Sequence, residues 1–350
     1  MPFLLDDYWS NSKLQRLKSL LDCNSLDIIS KQGGGNSVVY CINVDGKRVA
    51  LKSYPPYAPD KRDRLAAELL AYQFFNRHSV QTVPRLIAHC AVDRWLVIDW
   101  IEGESLKEYT VSDIEQAIDF IQSIAKLSKL QDAVQMSQAA EACLSLKIII
   151  DQINCRVERL RIHYSQEKEL KFFLEHHFSQ VFAEACHQAT LGYEKNGMNL
   201  HELLPRECCA LIPADFGFHN IIRDNQARLH FFDFDYFGWD DPVKLLSDIL
   251  WHPKMQLSDL QKTQFIDGLS HCFGSDSLFL TRFHYNEPLF GLRWVLILLN
   301  EFIPEFWKNR QHANVHTNHD EAKITQLQRA KMVLDRVQQA TGRSYDFVNP

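Results

Sequence analysis

The chain has 350 residues, 46% of them apolar and 23% charged, with a formal net charge of −6. That composition excludes a disordered chain and gives no basic footprint for nucleic acid or an anionic membrane surface. Its nine cysteines show no Cys-x-x-Cys spacing, which argues against a zinc ribbon or a disulfide framework and predicts free thiols in a reducing cytosol.

In chain order, residues 1–7 turn acidic too early for a signal peptide. Residues 8–22 place Leu14, Leu17, Leu20 and Leu21 on one side and predict an amphipathic helix. Strand patterns follow at 26–29 and 38–44, separated by a glycine cluster, and Asp45-Gly46 predicts a hairpin turn into a strand over 48–54. A helix is predicted over 62–76 and a strand over 94–100. From Ser112 the period becomes helical, with Ile114, Ile118, Ile121 and Ala125 on one stripe and two long helices over 144–162 and 167–189. A strand-rich island over 210–235 interrupts them. Helices return over 243–251, 289–302 and 322–340, the last stopped by Gly342. The most apolar stretch, 294–307, is broken by Asn300, Glu301 and Pro304, so no membrane insertion is expected.

Three features carry chemistry. Gly33-Gly34-Gly35-Asn36-Ser37 lies between two strand patterns, where it is either a hairpin turn or a loop whose amides wrap phosphate oxygens. No Gly-Lys-Ser/Thr follows, so it is not a Walker loop. Val49-Ala50-Leu51-Lys52 puts Ala50 and Lys52 on one strand face, leaving room for a flat base while the ammonium reaches phosphates. Glu68, on the predicted helix, is a candidate partner for Lys52. The acidic islands Asp215-Phe216-Gly217-Phe218-His219-Asn220 and Phe232-Asp233-Phe234-Asp235 supply a carboxylate to orient a hydroxyl and hard oxygen ligands for Mg²⁺. No Gly-x-Ser-x-Gly elbow occurs, and His176, His177 and His252 look unconnected to this set.

In this order, with Gly238-Trp239-Asp240-Asp241-Pro242 after them, these motifs resemble those of the aminoglycoside phosphotransferase and choline kinase-like family over roughly residues 25–305. The resemblance implies an α+β, two-lobed protein-kinase-like fold with a small β-sheet N-lobe (1–100), a hinge (101–104) and a large, mostly helical C-lobe (105–350). It implies ATP and Mg²⁺ as cofactors and Asp215 as the catalytic residue receiving the proton of the acceptor hydroxyl. Asn220 and Asp233 would hold the metal. Gly34, Gly35, Asn36 and Ser37 would lie over the phosphates, Lys52 with Glu68 would contact them, Val39 and Ala50 would cover adenine, and backbone groups of Asp99 and Ile101 would meet its edge.

Two departures stand out. Pro213-Ala214 replaces the family's usual His-Gly, and proline fixes φ and removes a donor. Asp235, two residues past Asp233, is either a second carboxylate in the metal shell or solvated. Asp233 and Asp241 are eight positions apart, which leaves little room for a peptide-docking segment, so the expected partner is a small-molecule hydroxyl acceptor. Asp248 and Glu301 are acids that either meet a cationic amine or serve structure and solvent. Trp251, Phe290, Trp294 and Phe302 are either stacking groups or core. Nucleotidyl transfer and a non-catalytic nucleotide-binding module remain the alternatives, and oligomeric state cannot be read from the sequence.

Overall fold

The computed structural model describes residues 8–33, 37–55, 62–307 and 318–341. Helix α1 (Asn11–Leu21) is capped by Ser10, whose hydroxyl accepts from Lys13 N–H, and ends at Asp22 in the left-handed region. An antiparallel five-stranded sheet follows, built from β1 (Leu26–Gly33), β2 (Val38–Val44), β3 (Lys47–Ser53), β4 (Leu86–Cys90) and β5 (Trp95–Asp99) in the order β1-β2-β3-β5-β4. Alternation decides its two faces. Tyr40, Ile42, Val49, Leu51, Trp95 and Val97 form one cluster with Trp9 and Leu17 of the N-terminal segment. Leu17 is fully buried there, worth about 1.5–3 kcal/mol for one leucine side chain. Ala50, Leu96 and Ile98 face the other way, into the main core with helix α2 (Arg64–Arg77) and the helical remainder.

The strand β6 (Gly103–Ser105) follows, and then α3 (Val111–Leu127), which opens with a Thr110–Asp113 capping box. Next come α4 (Leu146–Arg161), α5 (Lys168–Phe173), a π-helical turn (Leu174–Phe178) and α6 (Ser179–Lys195). The strand-rich island holds β7 (Ala210–Ile212), β8 (Ile221–Asp224), β9 (Leu229–Phe231) and β10 (Gly238–Asp240). It forms two small sheets, β10-β7 and β6-β8-β9. Helices α7 (Pro242–Trp251), α8 (Asp259–Phe273), α9 (Phe279–Leu298) and α10 (His319–Thr341) complete the chain. Among the described residues no helix is long and apolar enough to cross a membrane.

The predicted elements recur with four differences, the first being helix α8 (Asp259–Phe273), which was not expected. The strand β4 was not expected, because it is short and only half-buried on alternate residues. Part of the expected hinge is strand: Gly103–Ser105 pairs with β8 in the register Gly103↔Asp224. Helix α9 begins ten residues before the expected start at 289 and runs through Pro288. Proline deletes one rung of the helical ladder, and burial of Phe283, Leu289, Phe290, Leu292, Val295 and Leu296 along the same helix outweighs that loss.

Candidate functional site

Lys52 leaves the inner face of β3 and meets α2. Its Nζ donates to Glu68 at 2.6 Å and also to Asp233 Oδ1. Glu68 is fully buried and accepts additionally from Tyr54 Oη and, at 3.3 Å, from the Phe234 backbone N–H. Burial works to lower the pKa of the Lys52 ammonium, but the Asp233 and Glu68 carboxylates more than offset this and hold it above its ordinary value. Burial pushes the Glu68 carboxyl up while Lys52 pulls it back. Asp233 is also desolvated, yet Lys52 brings its carboxyl below the ordinary value. One lysine therefore joins the sheet, α2 and the loop after β9.

That loop is held in place by an aromatic plug. Asp233 itself has φ 69°, a left-handed pose that the short side chain of aspartate tolerates. Beside it Phe234 is buried against Phe75 (centroids 4.8 Å) and Tyr72 (5.6 Å) of α2. Asp235 is not solvated. It is 5% exposed and forms an ion pair with Arg64 at 2.5 Å, one helical turn before Glu68. Two successive turns of α2 thus hold one loop, Arg64 at the Asp235 carboxylate and Glu68 at the Phe234 N–H.

Asp215 lies three residues beyond β7. Its carboxyl is pushed up to about 6, by burial first and then by Asp233 and Asp248, so the three carboxylates share one electrostatic neighbourhood. Asn220 Nδ2 donates to the Asp215 backbone carbonyl at 3.0 Å, which turns the amide oxygen outward. Phe232 N–H donates to the Asn220 carbonyl at 3.2 Å and ties the two acidic islands together. Behind them Arg223 of β8 clamps the capping carboxylate Asp113 of α3 at 2.5 Å. Asn220 and Asp233 together offer hard oxygens, a donor set that suits Mg²⁺. Lys52 and Arg64 are the cations in direct ion pairs here, against Glu68, Asp215, Asp233 and Asp235 among the described residues.

Of the other expected residues, Ala50 is buried on the inner face and Val39 lies opposite Lys52 in the β2–β3 register, half-buried. Ser37 is half-buried just before β2. Asp99 closes β5, and its N–H donates to the Arg85 carbonyl at 3.0 Å, so that N–H is already committed. Ile101 follows half-buried in open chain. Gly34, Gly35 and Asn36 lie outside the described residues.

Sequence reasoning missed the histidines beside Asp215. His219 Nε2 is 4.0 Å from Asp215, and His252, at the end of α7, stacks on His219 with centroids 4.5 Å apart. A side chain at Gly217 would meet the His219 ring at 2.5 Å, so glycine makes room for it. Burial and the nearby Lys254 bring His219 down to about 4, and burial with His219 and Lys254 brings His252 well below its ordinary range. Donor atoms of Asp215, His219 and His252 lie within 4.8 Å of one another. But His252 Nδ1 accepts the Lys254 N–H at 3.1 Å, which puts the ring proton on Nε2 and suits a hydrogen-bond donor better than a metal ligand. The position of His219 immediately before Asn220 was the one sequence signal available.

The other expected acids and aromatics sort clearly. Glu301 is fully buried rather than solvated. Asp248 is paired with Lys244 (3.0 Å) and Arg293 (3.3 Å). Trp251, Phe290 and Phe302 are core, whereas Trp294 is half-buried, donates to Asp248 at 2.8 Å and meets His252 edge-on.

No curated protein matches this sequence. Solved structures do match in fold. Choline kinase LicA from Streptococcus pneumoniae superposes with a TM-score of 0.57 at 14% identity, covering 93% of this chain and 99% of that one. Spectinomycin phosphotransferase APH(9)-Ia, in complex with ADP and spectinomycin, gives 0.58 at 11% identity, over 95% and 98%. The gentamicin complex of APH(2")-IIa gives 0.58 at 13%, over 97% and 99%. The fold is therefore α+β and two-lobed, of the protein-kinase-like kind, with a small antiparallel sheet and a mostly helical remainder. A family model matches residues 29–277, most of the sequence and both acidic islands, and the chain belongs to the phosphotransferase enzyme family.

Proposed function

We propose that the protein transfers the γ-phosphate of ATP to a hydroxyl of a small molecule in a Mg²⁺-dependent reaction. The observation that carries this reading is Lys52 bonded at once to Glu68 and Asp233, in a cluster where carboxylates outnumber their paired cations. Such an excess of negative charge calls for a cation. The bound nucleotide's Mg²⁺ would supply it and neutralise charge on the phosphates.

On this reading Lys52 holds phosphate oxygens, Glu68 keeps the ammonium extended, and Asn220 with Asp233 hold the metal. Asp215 orients the acceptor hydroxyl and receives its proton. Val39 and Ala50 bound the adenine, and the chain at Asp99–Ile101 meets its edge. Residues 1–100 then form the nucleotide lobe, 101–104 the hinge and 105–350 the acceptor lobe. One fold relative is a choline kinase and another binds ADP, which supports this reading. A metabolite screen read by ADP release tests it. Products gaining phosphate support it. Products gaining AMP indicate nucleotidyl transfer, and nucleotide binding without turnover of any acceptor indicates a binding module.

A further inference from the structure

Beside Asp215 the helical part presents a row of flat rings. His219 lies 4.0 Å from the carboxylate. His252 stacks on it with planes at 23° and centroids 4.5 Å apart, and Trp294 meets His252 edge-on, also at 4.5 Å. All three are half-buried, while Trp251, Arg293 and Val295 next to them in sequence are buried. The end of α7 thus brings His252, and α9 brings Trp294, to the half-buried surface beside His219.

The wall behind the rings is charged but closed. Glu141 pairs with Arg156 at 2.6 Å and Arg293 at 2.7 Å. Asp248 pairs with Arg293 at 3.3 Å and Lys244 at 3.0 Å, and Asp240 with Lys244 at 3.6 Å. Three carboxylates (Glu141, Asp240, Asp248) are matched by three cations (Arg156, Arg293, Lys244). An ammonium group entering here meets no uncommitted carboxylate in this wall to replace its hydration. It also meets Lys254, whose charge already bears on Asp215, His219 and His252.

We propose that the acceptor is an uncharged, hydroxyl-rich ring, a sugar or cyclic polyol, lying against His219, His252 and Trp294 with one hydroxyl on Asp215; this rests on the phosphotransferase reading above. The apolar C–H face of such a ring suits the electron-rich aromatic faces. Its hydroxyl rim suits imidazole rings, whose nitrogens hydrogen-bond to hydroxyl groups. Since Lys254 N–H occupies Nδ1 of His252, that ring presents its Nε2–H to an acceptor oxygen. In the transfer the hydroxyl oxygen bonds to the γ-phosphorus and the bond to the β–γ bridging oxygen breaks. The hydroxyl proton passes to Asp215, leaving a phosphate monoester and ADP.

The test compares isosteric pairs with the full-length protein, ATP and Mg²⁺: glucose with glucosamine, galactose with galactosamine, mannose with mannosamine, with choline, ethanolamine, aminoglycosides and hydroxy acids alongside. The uncharged member should show a kcat/KM about tenfold higher or more. Trp294→Leu should raise its KM about tenfold and leave the KM for ATP unchanged, while Trp294→Phe, which keeps a ring, should change little. Preference for any amine or hydroxy acid overturns the proposal, as does a Trp294→Leu enzyme with an unaltered sugar KM. Failure with every sugar while nucleotide binding persists also overturns the acceptor class and leaves nucleotide recognition standing. Loss of nucleotide binding itself takes down the reading beneath it.

Discussion

Among the described residues the charges clustered around Lys52 do not balance, whereas those around Lys244 do. The first cluster sets Lys52 and Arg64 against Glu68, Asp215, Asp233 and Asp235. The second sets Lys244, Arg293 and Arg156 against Asp240, Asp248 and Glu141. Both are drawn from the same residue types at similar burial. A closed set of ion pairs needs nothing further and holds α4, α7 and α9 to the loop before α4. An open set holds its carboxylates under mutual repulsion until something positive arrives, and that condition favours a working site over a strut.

Breaking the open cluster should therefore cost chemistry, and breaking the closed one should cost the fold. The largest effect is expected from Asp215→Asn, a fall in kcat of ~10²–10⁴-fold with no loss of thermal stability, read by ADP release and a melting curve. A kcat within tenfold of the parent would show that another group receives the proton. Lys244→Met should instead destabilise by about 3–5 kcal/mol in denaturant unfolding, because Asp240 and Asp248 lose a buried counter-ion. Asp233→Asn should erase the Mg²⁺-dependent rise in melting temperature on ATP addition, a stabilisation of about 2.7 kcal/mol at a hundredfold excess over Kd. A preserved rise would move the metal elsewhere.

Acidity sharpens the contrast. The Asp215 carboxyl is raised to about 6, first by burial and then by Asp233 and Asp248, and on the proposed reading it works only when ionised. Activity is therefore retained above that value and lost as pH falls through it. The kcat/KM for nucleotide should drop about tenfold per pH unit on that acid limb, and a limb near the ordinary aspartate range would mean the site is wetter than it looks. The smallest effect is Tyr54→Phe, which removes one donor from Glu68 and should cost about 1 kcal/mol in stability or in ATP affinity.

How much of this was legible in the sequence follows from range. Local patterns served well: β2 was read to the residue, and strand alternation put Ala50 and Lys52 on one face as found. The pairing of Lys52 with Glu68 was also legible, because motif order constrains it. Asp235 was not, since its partner Arg64 lies 171 positions away and nothing in either segment announces the other. The His219–His252 stack was hidden for the same reason, as was the half-buried face of Trp294, which the apolar run around it disguises as core. Helix α9 shows tertiary burial overruling a proline.

The ribbon of β7 and β10 has one further consequence. In it Leu211 faces Trp239, and Gly238 lets residues 137–139 press onto the strand, since a Cβ there would stand 2.5 Å from the Ala139 backbone. One strand leads within three residues to Asp215, and the other leads directly into the helix bearing Asp248 and ending at His252. On the proposed reading, the catalytic carboxylate and the ring-lined wall thus hang from one paired ribbon. Their spacing would then be set by the pairing of two short strands, which would select guests by size.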